Sequence, residues 1–502
     1  MDAPITLKPA PNPRLGFALL VALIAMVAVG KAILADTLDP DCFWHLRVGQ
    51  EIAHAGWPRP LVDDLSFAST RQPWTPYSWL AELAMKRLWD FGGYRAAVAT
   101  QAPMEGGFIV LLALAALEAS ESATGRPRYL ASALAAAAGG VLSLAYLSFR
   151  PVTAALLILA LIAWLLLRDR RMQQRSRAVW LAPPLTALLV NIHFFALLVP
   201  LWTGALFVGD IIENRHAPLR RRTGRDLLLT ILCAAACTLT PLLPGMIRSV
   251  LDYSLNDVLV RSHVIVEMQP FYAGTMGHIS AAIAVLLGML ALWRAARPRD
   301  VRLGIGELIW LAGSAILLLR LGRFAPVFAI IAAPMLAATL PQLSERVLTR
   351  AAVMAIIAVI LIIGGWRIAR AYPSASLPIS SWLNRHGPDA AGYPCAAADF
   401  VERQIHPRTG RIINEFPWGG YLEWRLGDRF AMLMDGRTQL FPADFWKSTY
   451  LGTDQDRQRL LRAADADAAI IPIHHSLFAT ALIALHWKPV YRDDRATVMV
   501  PP

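Results

Sequence analysis

Between positions 36 and 49 the chain crowds ionisable groups into one short stretch, Asp36-Thr-Leu-Asp39-Pro-Asp41-Cys-Phe-Trp44-His45-Leu-Arg47-Val-Gly49. Carboxylates held beside apolar surroundings drift toward raised pKa values, which suits a general base acting on a hydroxyl. Asp-x-Asp spacing can also offer oxygen ligands to a divalent cation such as Mg or Mn. A structural role fits equally well, because Asp39-Pro40 is a good N-cap and N1 pair for a helix. On these residues alone the two readings stand level.

The same region continues with Asp63-Asp64-Leu-Ser66-Phe67 and Pro73-Trp74-Thr-Pro76-Tyr77-Ser78-Trp79-Leu-Ala-Glu82. From Ser78 to Trp89 the pattern is amphipathic, as in a helix lying in a membrane interface, where tryptophans are ordinary belt residues. Further on, single cations and imidazoles recur beside apolar runs: Arg150 in Ser148-Phe-Arg-Pro151, His193 in Asn191-Ile-His-Phe, His263 with Glu267, and Arg320 with Arg323. An ionisable group at membrane depth is costly and is usually paired or functional, although an arginine can also snorkel to the interface. Guanidinium and imidazole groups facing carboxylates are what a phosphate-bearing lipid needs. His45, Arg47, Arg150, His193, Arg320 and Arg323 are therefore the phosphate candidates, with Glu82 and Glu267 available to orient an acceptor or assist a metal. Glu105, inside an apolar run, reads as a buried, neutral, helix-packing acid.

The elements that must position these groups are membrane spans. In 502 residues, 56% of side chains are hydrophobic and 17% charged, too apolar for an ordinary soluble protein. The net charge of +12 lies in short arginine clusters between apolar runs, which argues against nucleic-acid binding. Apolar runs fall at 15–35, 95–117, 129–147, 152–167, 178–192, 194–212, 227–247, 278–293, 304–319, 324–340 and 351–368, about eleven spans. The first is long enough to be a retained helix rather than a cleaved signal peptide.

Every second connection is arginine-rich: 126–128, 168–177, 215–225, 294–302 and 346–350. The positive-inside bias puts these in the cytoplasm together with the N-terminus. The chemically loaded segments, including the first loop 36–94 and the tail 369–502, then all face the other side. Cys42 and Cys395 would share that oxidising compartment and could form a disulfide. Zinc is not indicated, since Cys233 and Cys237 form only an i, i+4 pair within an apolar run.

The tail loses the spanning pattern. Short apolar runs at Arg411-Ile-Ile413, Ala431–Met434 and Ala468–Ile471 predict strands, and 455–464 predicts a helix. The expected architecture is an α-helical polytopic membrane domain over 1–368 with a C-terminal soluble α/β domain over 369–502. Trp418, Tyr421, Asp435 and Arg437 could line an acceptor groove there. The alternative is structural, with Gly419-Gly420 a turn before a helix and Asp435-Gly-Arg437 a hairpin turn.

Taken in order, Asp39-Pro-Asp-Cys-Phe-Trp-His-Leu-Arg-Val-Gly49, Asp64-Leu-Ser-Phe67, Pro73 to Glu82, Arg150-Pro151, Asn191-Ile-His193, Glu267-Met-Gln-Pro270, Trp418-Gly-Gly-Tyr421 and Asp435-Gly-Arg437 resemble a family of bacterial membrane proteins. That family is related to the C-type (GT-C) fold of polyprenyl-phosphate-sugar-dependent glycosyltransferases, and the resemblance covers nearly the whole chain. It implies that Asp39 and Asp41 correspond to the catalytic acidic loop, where a carboxylate activates an acceptor hydroxyl while cations hold the lipid phosphate. It also implies a bacterial inner-membrane enzyme that moves a sugar from a polyprenyl-phosphate carrier to an envelope glycan, lipid or protein at the periplasmic face. Cys42 before Phe43-Trp44, Thr240-Pro241 in place of Asn-Pro, and Phe194-Phe195 in place of Gly-Gly depart from the family pattern and bear on acceptor shape. The rival readings are a transporter or flippase for a lipid-linked saccharide and an assembly factor of an envelope polysaccharide system. Matched Gly/Pro-broken helices in two related halves, which many transporters show, are not evident in the sequence.

Overall fold

The computed structural model describes residues 13–34, 39–213, 221–255, 258–262, 269–273, 301–386, 392–406 and 410–502. His263, Glu267 and the expected span 278–293 lie outside the described residues. Seven helical segments among the described residues are long and apolar enough to cross a membrane. Together with shorter apolar helices they make the chain a polytopic helical membrane protein.

Helix α1 (Pro13–Leu34) leads into the first loop, whose helix α2 (Pro40–Ala55) starts as the sequence dictates. Asp39 is its N-cap, accepting the Asp41 N–H at 3.0 Å, with Pro40 in the first turn. Gly56 ends the helix at φ 73°, a left-handed conformation that glycine adopts without a Cβ clash. The interfacial helix and the second span form one element, α3 (Trp79–Thr124), bent at Gly93 with φ 58° and ψ −147°. That glycine lets an amphipathic segment turn into a spanning one.

Around α3 pack α1, α4 (Tyr129–Ser143), α5 (Pro151–Arg171) and, from later in the chain, the helix Ala325–Thr339. Small residues permit this. A Cβ on Gly139 of α4 would lie 3.2 Å from the Ala333 Cβ, so the two helices touch almost backbone to backbone. Helices α6 (Ala182–Leu189), α7 (Leu198–Glu213), α8 (Arg221–Ala236) and α9 (Leu243–Leu255) follow, then α10 (Ile305–Arg320), α11 (the helix Ala325–Thr339) and α12 (Ala351–Ala371). The expected span 227–247 is broken, with α8 ending before Thr240-Pro241 and α9 beginning after it.

In the first loop β1 (Leu61–Val62) pairs antiparallel with β2 (Pro73–Trp74), and past α12 lies a five-stranded mixed sheet in the order β4 (Ala431–Met432), β3 (Arg411–Asn414), β5 (Ala468–Pro472), β7 (Ala496–Val500) and β6 (Lys488–Arg492). Strands β3, β4 and β5 run parallel, and β6 and β7 pair antiparallel beside them. The predicted helix appears at Asp454–Ala463, closed by a capping box from Thr453 and Asp456.

The tail has one hydrophobic cluster almost entirely its own, around Phe445, Trp446, Phe478 and Leu482, and shares a second with the first loop and α3. Phe43 and Leu46 of α2 and Met85 of α3 share one hydrophobic cluster with Tyr421, Leu422, Ile412 and Ile470. The first loop also covers the β4 edge: Met432 donates to the Leu65 carbonyl at 2.8 Å and Phe67 to the Met432 carbonyl at 2.9 Å. Loop and tail are one unit at one end of the helical bundle.

One expectation is corrected here. Charged chemistry is not confined to that end, because Arg170 at the far end of α5 pairs with Asp210 at 2.6 Å and Glu307 at 3.3 Å, while Arg225 pairs with Asp169. These acids are scattered singly in the sequence and converge only when four helix ends meet. Glu105 is buried within α3 as expected, and it has partners that the sequence does not show. It is fully buried, 3.3 Å from Lys31 Nζ of α1, and receives the Gln101 amide at 2.7 Å. Cys42 and Cys395 are buried and free, with no disulfide between them.

Candidate active site

Residues from seven parts of the chain meet in a cavity of about 160 Å³ at the end of the bundle that carries the loop and tail. Asp41, Trp44 and His45 come from α2, and Tyr77 and Ser78 from the approach to α3. Arg150, Pro151 and Val152 come from the start of α5, His193, Phe194 and Phe195 from the turn before α7, and Leu321, Arg323 and Phe324 from the turn before α11. The tail adds Phe416, Gly436, Thr438 and Gln439, and α9 adds Ser249 and Val250.

Local geometry explains why these groups sit at helix starts. Arg150 is the N-cap of α5 with Pro151 in its first turn, His193 caps the short helical turn Phe194–Leu197 that continues into α7, and Arg323 precedes α11 with its own early Pro326. Three helix N-termini thus line one wall. Their helix dipoles add positive potential to that of the side chains. Gln269, at the edge of the described residues, accepts the Gly322 N–H at 2.9 Å, which docks that segment beside Arg323.

Arg150 is the hinge of the acidic motif. Its Nε lies 2.9 Å from Asp39 Oδ2 and its Nη1 2.8 Å from Asp41 Oδ2. Asp41 Oδ1 accepts the Trp44 indole N–H at 3.0 Å, and Asp39 also accepts the Ser148 hydroxyl. Asp41 lines the cavity whereas Asp39 does not; Asp39 caps α2 and braces Arg150. A guanidinium occupies the place a cation would take between the two carboxylates. Among the described residues no group of three or more His, Cys, Asp or Glu side chains could hold a metal ion. The chemistry proposed for the site draws on no divalent cation.

His45 Nδ1 lies 2.9 Å from Glu82 Oε1, with both side chains buried. Burial lowers the His45 pKa against the opposing pull of Glu82, so the ring is neutral near pH 7. His193 Nδ1 accepts the Phe195 N–H at 3.2 Å, and burial followed by Arg323 keeps this ring neutral as well. Tyr77 packs edge-on against His193 and Phe194; burial pushes its phenol up to about 12, so its hydroxyl stays a donor.

Of the phosphate candidates, His45, Arg150, His193 and Arg323 reach the cavity. Arg47 does not, because it turns to Asp428 at 2.8 Å in a separate surface cleft. Arg320 is exposed at the end of α10 and does not line the cavity. Glu82 stands behind His45 rather than facing an acceptor.

The acceptor groove is corrected outright. Trp418, Tyr421, Asp435 and Arg437 are all at most 3% exposed. Tyr421 is buried in the joint core, and the Trp418 indole donates to the Gly392 carbonyl at 2.9 Å. Gly419-Gly420 opens the helix α13 (Gly419–Leu426), in line with the structural alternative. The Asp435-Gly-Arg437 turn, however, leads into the short helical turn Thr438–Leu440 and forms no hairpin. Arg437 sits among Asp63 at 3.0 Å, Glu423 at 3.1 Å and Asp435, with Ser66 bonded to both Glu423 and Asp435. Burial and then Asp435 push Glu423 well up, whereas at Asp435 burial is outweighed by the Arg437 charge together with the hydrogen bonds of Glu423 and Arg437, which hold it low. One guanidinium among three acids is satisfied only when part of the set is protonated, and the cluster fastens the first loop to the tail.

The sequence reading missed Tyr77 and Ser148 as partners of the site, and the tail's backbone at Gly436 as its wall. A glycine between two charged residues was the available signal.

No protein-family model and no curated protein matches the chain. Among solved structures it is similar to ArnT from Cupriavidus metallidurans in the apo state, at 13% identity and a TM-score of 0.48, covering 97% of this chain and 98% of that one. The same protein bound to undecaprenyl phosphate gives 13% identity and a TM-score of 0.44, over 96% and 98% of the two chains. The archaeal oligosaccharyltransferase AglB from Archaeoglobus fulgidus, in complex with an inhibitory peptide and a dolichol-phosphate, gives 14% identity and a TM-score of 0.41, over 90% of this chain and 69% of that one.

Proposed function

We propose that the protein is a membrane glycosyltransferase of the C-type class that moves a sugar from a polyprenyl-phosphate-linked donor to an acceptor hydroxyl. The observation that carries this reading is the composition of the cavity wall. Arg150, Arg323, His193 and Tyr77 offer cations and donors, and Val152, Phe194, Phe195, Leu321 and Phe324 line the same cavity with apolar surface. An amphiphile with a phosphate head and a lipid tail matches that combination.

As the sugar–phosphate bond breaks, negative charge builds on the phosphate. Fixed guanidinium groups and helix N-termini in a water-poor site stabilise it. Asp41 is the first-loop carboxylate that faces the cavity, and by holding Arg150 and the Trp44 indole it orders the wall that the incoming hydroxyl meets. The cavity lies on the periplasmic face of a bacterial inner membrane, with the N-terminus in the cytoplasm. The support for this orientation is that the arginine-rich ends, such as Arg168 to Arg171 of α5, lie at the opposite end of the bundle, as the positive-inside bias favours.

The test is transfer by the reconstituted protein from polyprenyl-phosphate-linked sugars. The wild type transfers, and Asp41→Asn loses at least about 100-fold while expressing and folding normally. Undiminished transfer by Asp41→Asn would remove this assignment. Trp57, 67% exposed in the first loop, reports sidedness. Trp57→Cys reacts with an impermeant maleimide added from the periplasmic side, and the four native cysteines are buried.

A further inference from the structure

Two histidines share the cavity, and their ring nitrogens are committed in opposite senses. The Glu82 carboxylate against His45 Nδ1 fixes the proton on that nitrogen, leaving Nε2 with a free lone pair. The Phe195 N–H donated to His193 Nδ1 does the reverse and puts that ring's proton on Nε2. One ring is an acceptor and the other a donor, and both line the same space. Asp41 is poorly placed to compete for a proton, since one oxygen holds the Trp44 indole and the other the Arg150 guanidinium.

We propose that His45, oriented by Glu82, is the catalytic base that takes the proton of the acceptor hydroxyl, while His193 donates from Nε2–H to the departing phosphate. This rests on the transferase reading above. The acceptor oxygen forms its bond to the sugar's anomeric carbon, and the bond from that carbon to the donor phosphate breaks. The electron pair leaves with polyprenyl phosphate, and the hydroxyl proton goes to His45 Nε2. The resulting imidazolium is held by the Glu82 carboxylate until products leave and the proton passes to water. Glu82 is a positioning residue, because it never meets substrate. The charged and titratable groups facing His45 are Glu82 on α3, Arg150 at the head of α5, Arg437 in the tail and His193 before α7. The two arginines favour the neutral ring that a base requires.

The experiment measures kcat and KM against pH for the reconstituted full chain with a polyprenyl-phosphate-linked sugar. Wild-type kcat rises with pH through a depressed histidine pKa and then levels. His45→Asn keeps an N–H toward Glu82 but no base: kcat falls about 100-fold or more, donor KM stays within about threefold, and the acid limb disappears. His45→Ala recovers part of its rate with added imidazole. Glu82→Gln lowers kcat by about tenfold or more and moves the limb to lower pH, because Glu82 is what raises the His45 pKa. A merely structural Glu82 would not move that limb. An active wild type whose His45→Asn variant retains kcat and the limb overturns the base while leaving the transferase intact. A wild-type rate that falls as pH rises does the same. A wild type that transfers no sugar overturns the transferase reading itself.

Discussion

Gly436 of the tail lies so close to Asp41 of the first loop that a Cβ built on it would stand 2.4 Å from Asp41 Oδ1 and 2.8 Å from Trp44 Nε1. The tail is therefore a wall of the cavity, and the backbone of Asp435-Gly436-Arg437 meets the acid directly. Gly420 makes the same kind of approach, its Cβ position falling 2.8 Å from the Pro40 carbonyl. Gly436→Ala is expected to push Asp41 and Trp44 aside and to lower transfer by about 100-fold, with little change in thermal stability. Steady-state kinetics beside a melting curve in detergent separate the two effects.

Arg437 is fully buried among Asp63, Glu423 and Asp435. Arg437→Met leaves three acids facing one another and is expected to cost about 3–5 kcal/mol near pH 7. The deficit should shrink as pH falls and the acids protonate, since Arg437 lowers the pKa of each of them. Chemical unfolding of the variant at pH 5 and pH 7.5 checks both the size and the sign.

Inside the bilayer, Lys31 and Glu105 form a pair that the sequence shows only as two isolated charges. Lys31→Met strands a buried carboxylate and is expected to cost about 3–5 kcal/mol, whereas Lys31→Met with Glu105→Gln should regain most of that. Unfolding free energies of the two single variants and the double variant form the cycle that decides it.

Glu51, half-buried on α2, is pushed by burial up to about 7 despite Arg437 and Arg47 nearby. Its folded state favours the proton, so its contribution is fully present below the ordinary carboxylate range and is lost as pH rises through 7. Glu51→Gln is expected to match the wild type at pH 4.5 and to be more stable at pH 8, on the order of 2 kcal/mol. Melting temperatures across that range measure the crossover.

The sequence by itself determined the membrane class, the start of α2 at Asp39-Pro40, the strands at Arg411 and Ala468, and the helix starts at Arg150 and His193. Each is written in local composition and short-range spacing: apolar run length, a cap followed by proline, a break in periodicity. It did not determine which charged group faces which. His45 and Glu82 are 37 positions apart and Arg150 and Asp41 are 109, and a pairing at such separations leaves no local mark. Tertiary structure alone decided that Asp39 braces while Asp41 faces the cavity, and that Arg47 turns away. It also placed Asp435 and Arg437 inside the core. Burying a charge costs several kcal/mol unless a partner arrives, and only the packing of distant helices against the sheet supplies those partners.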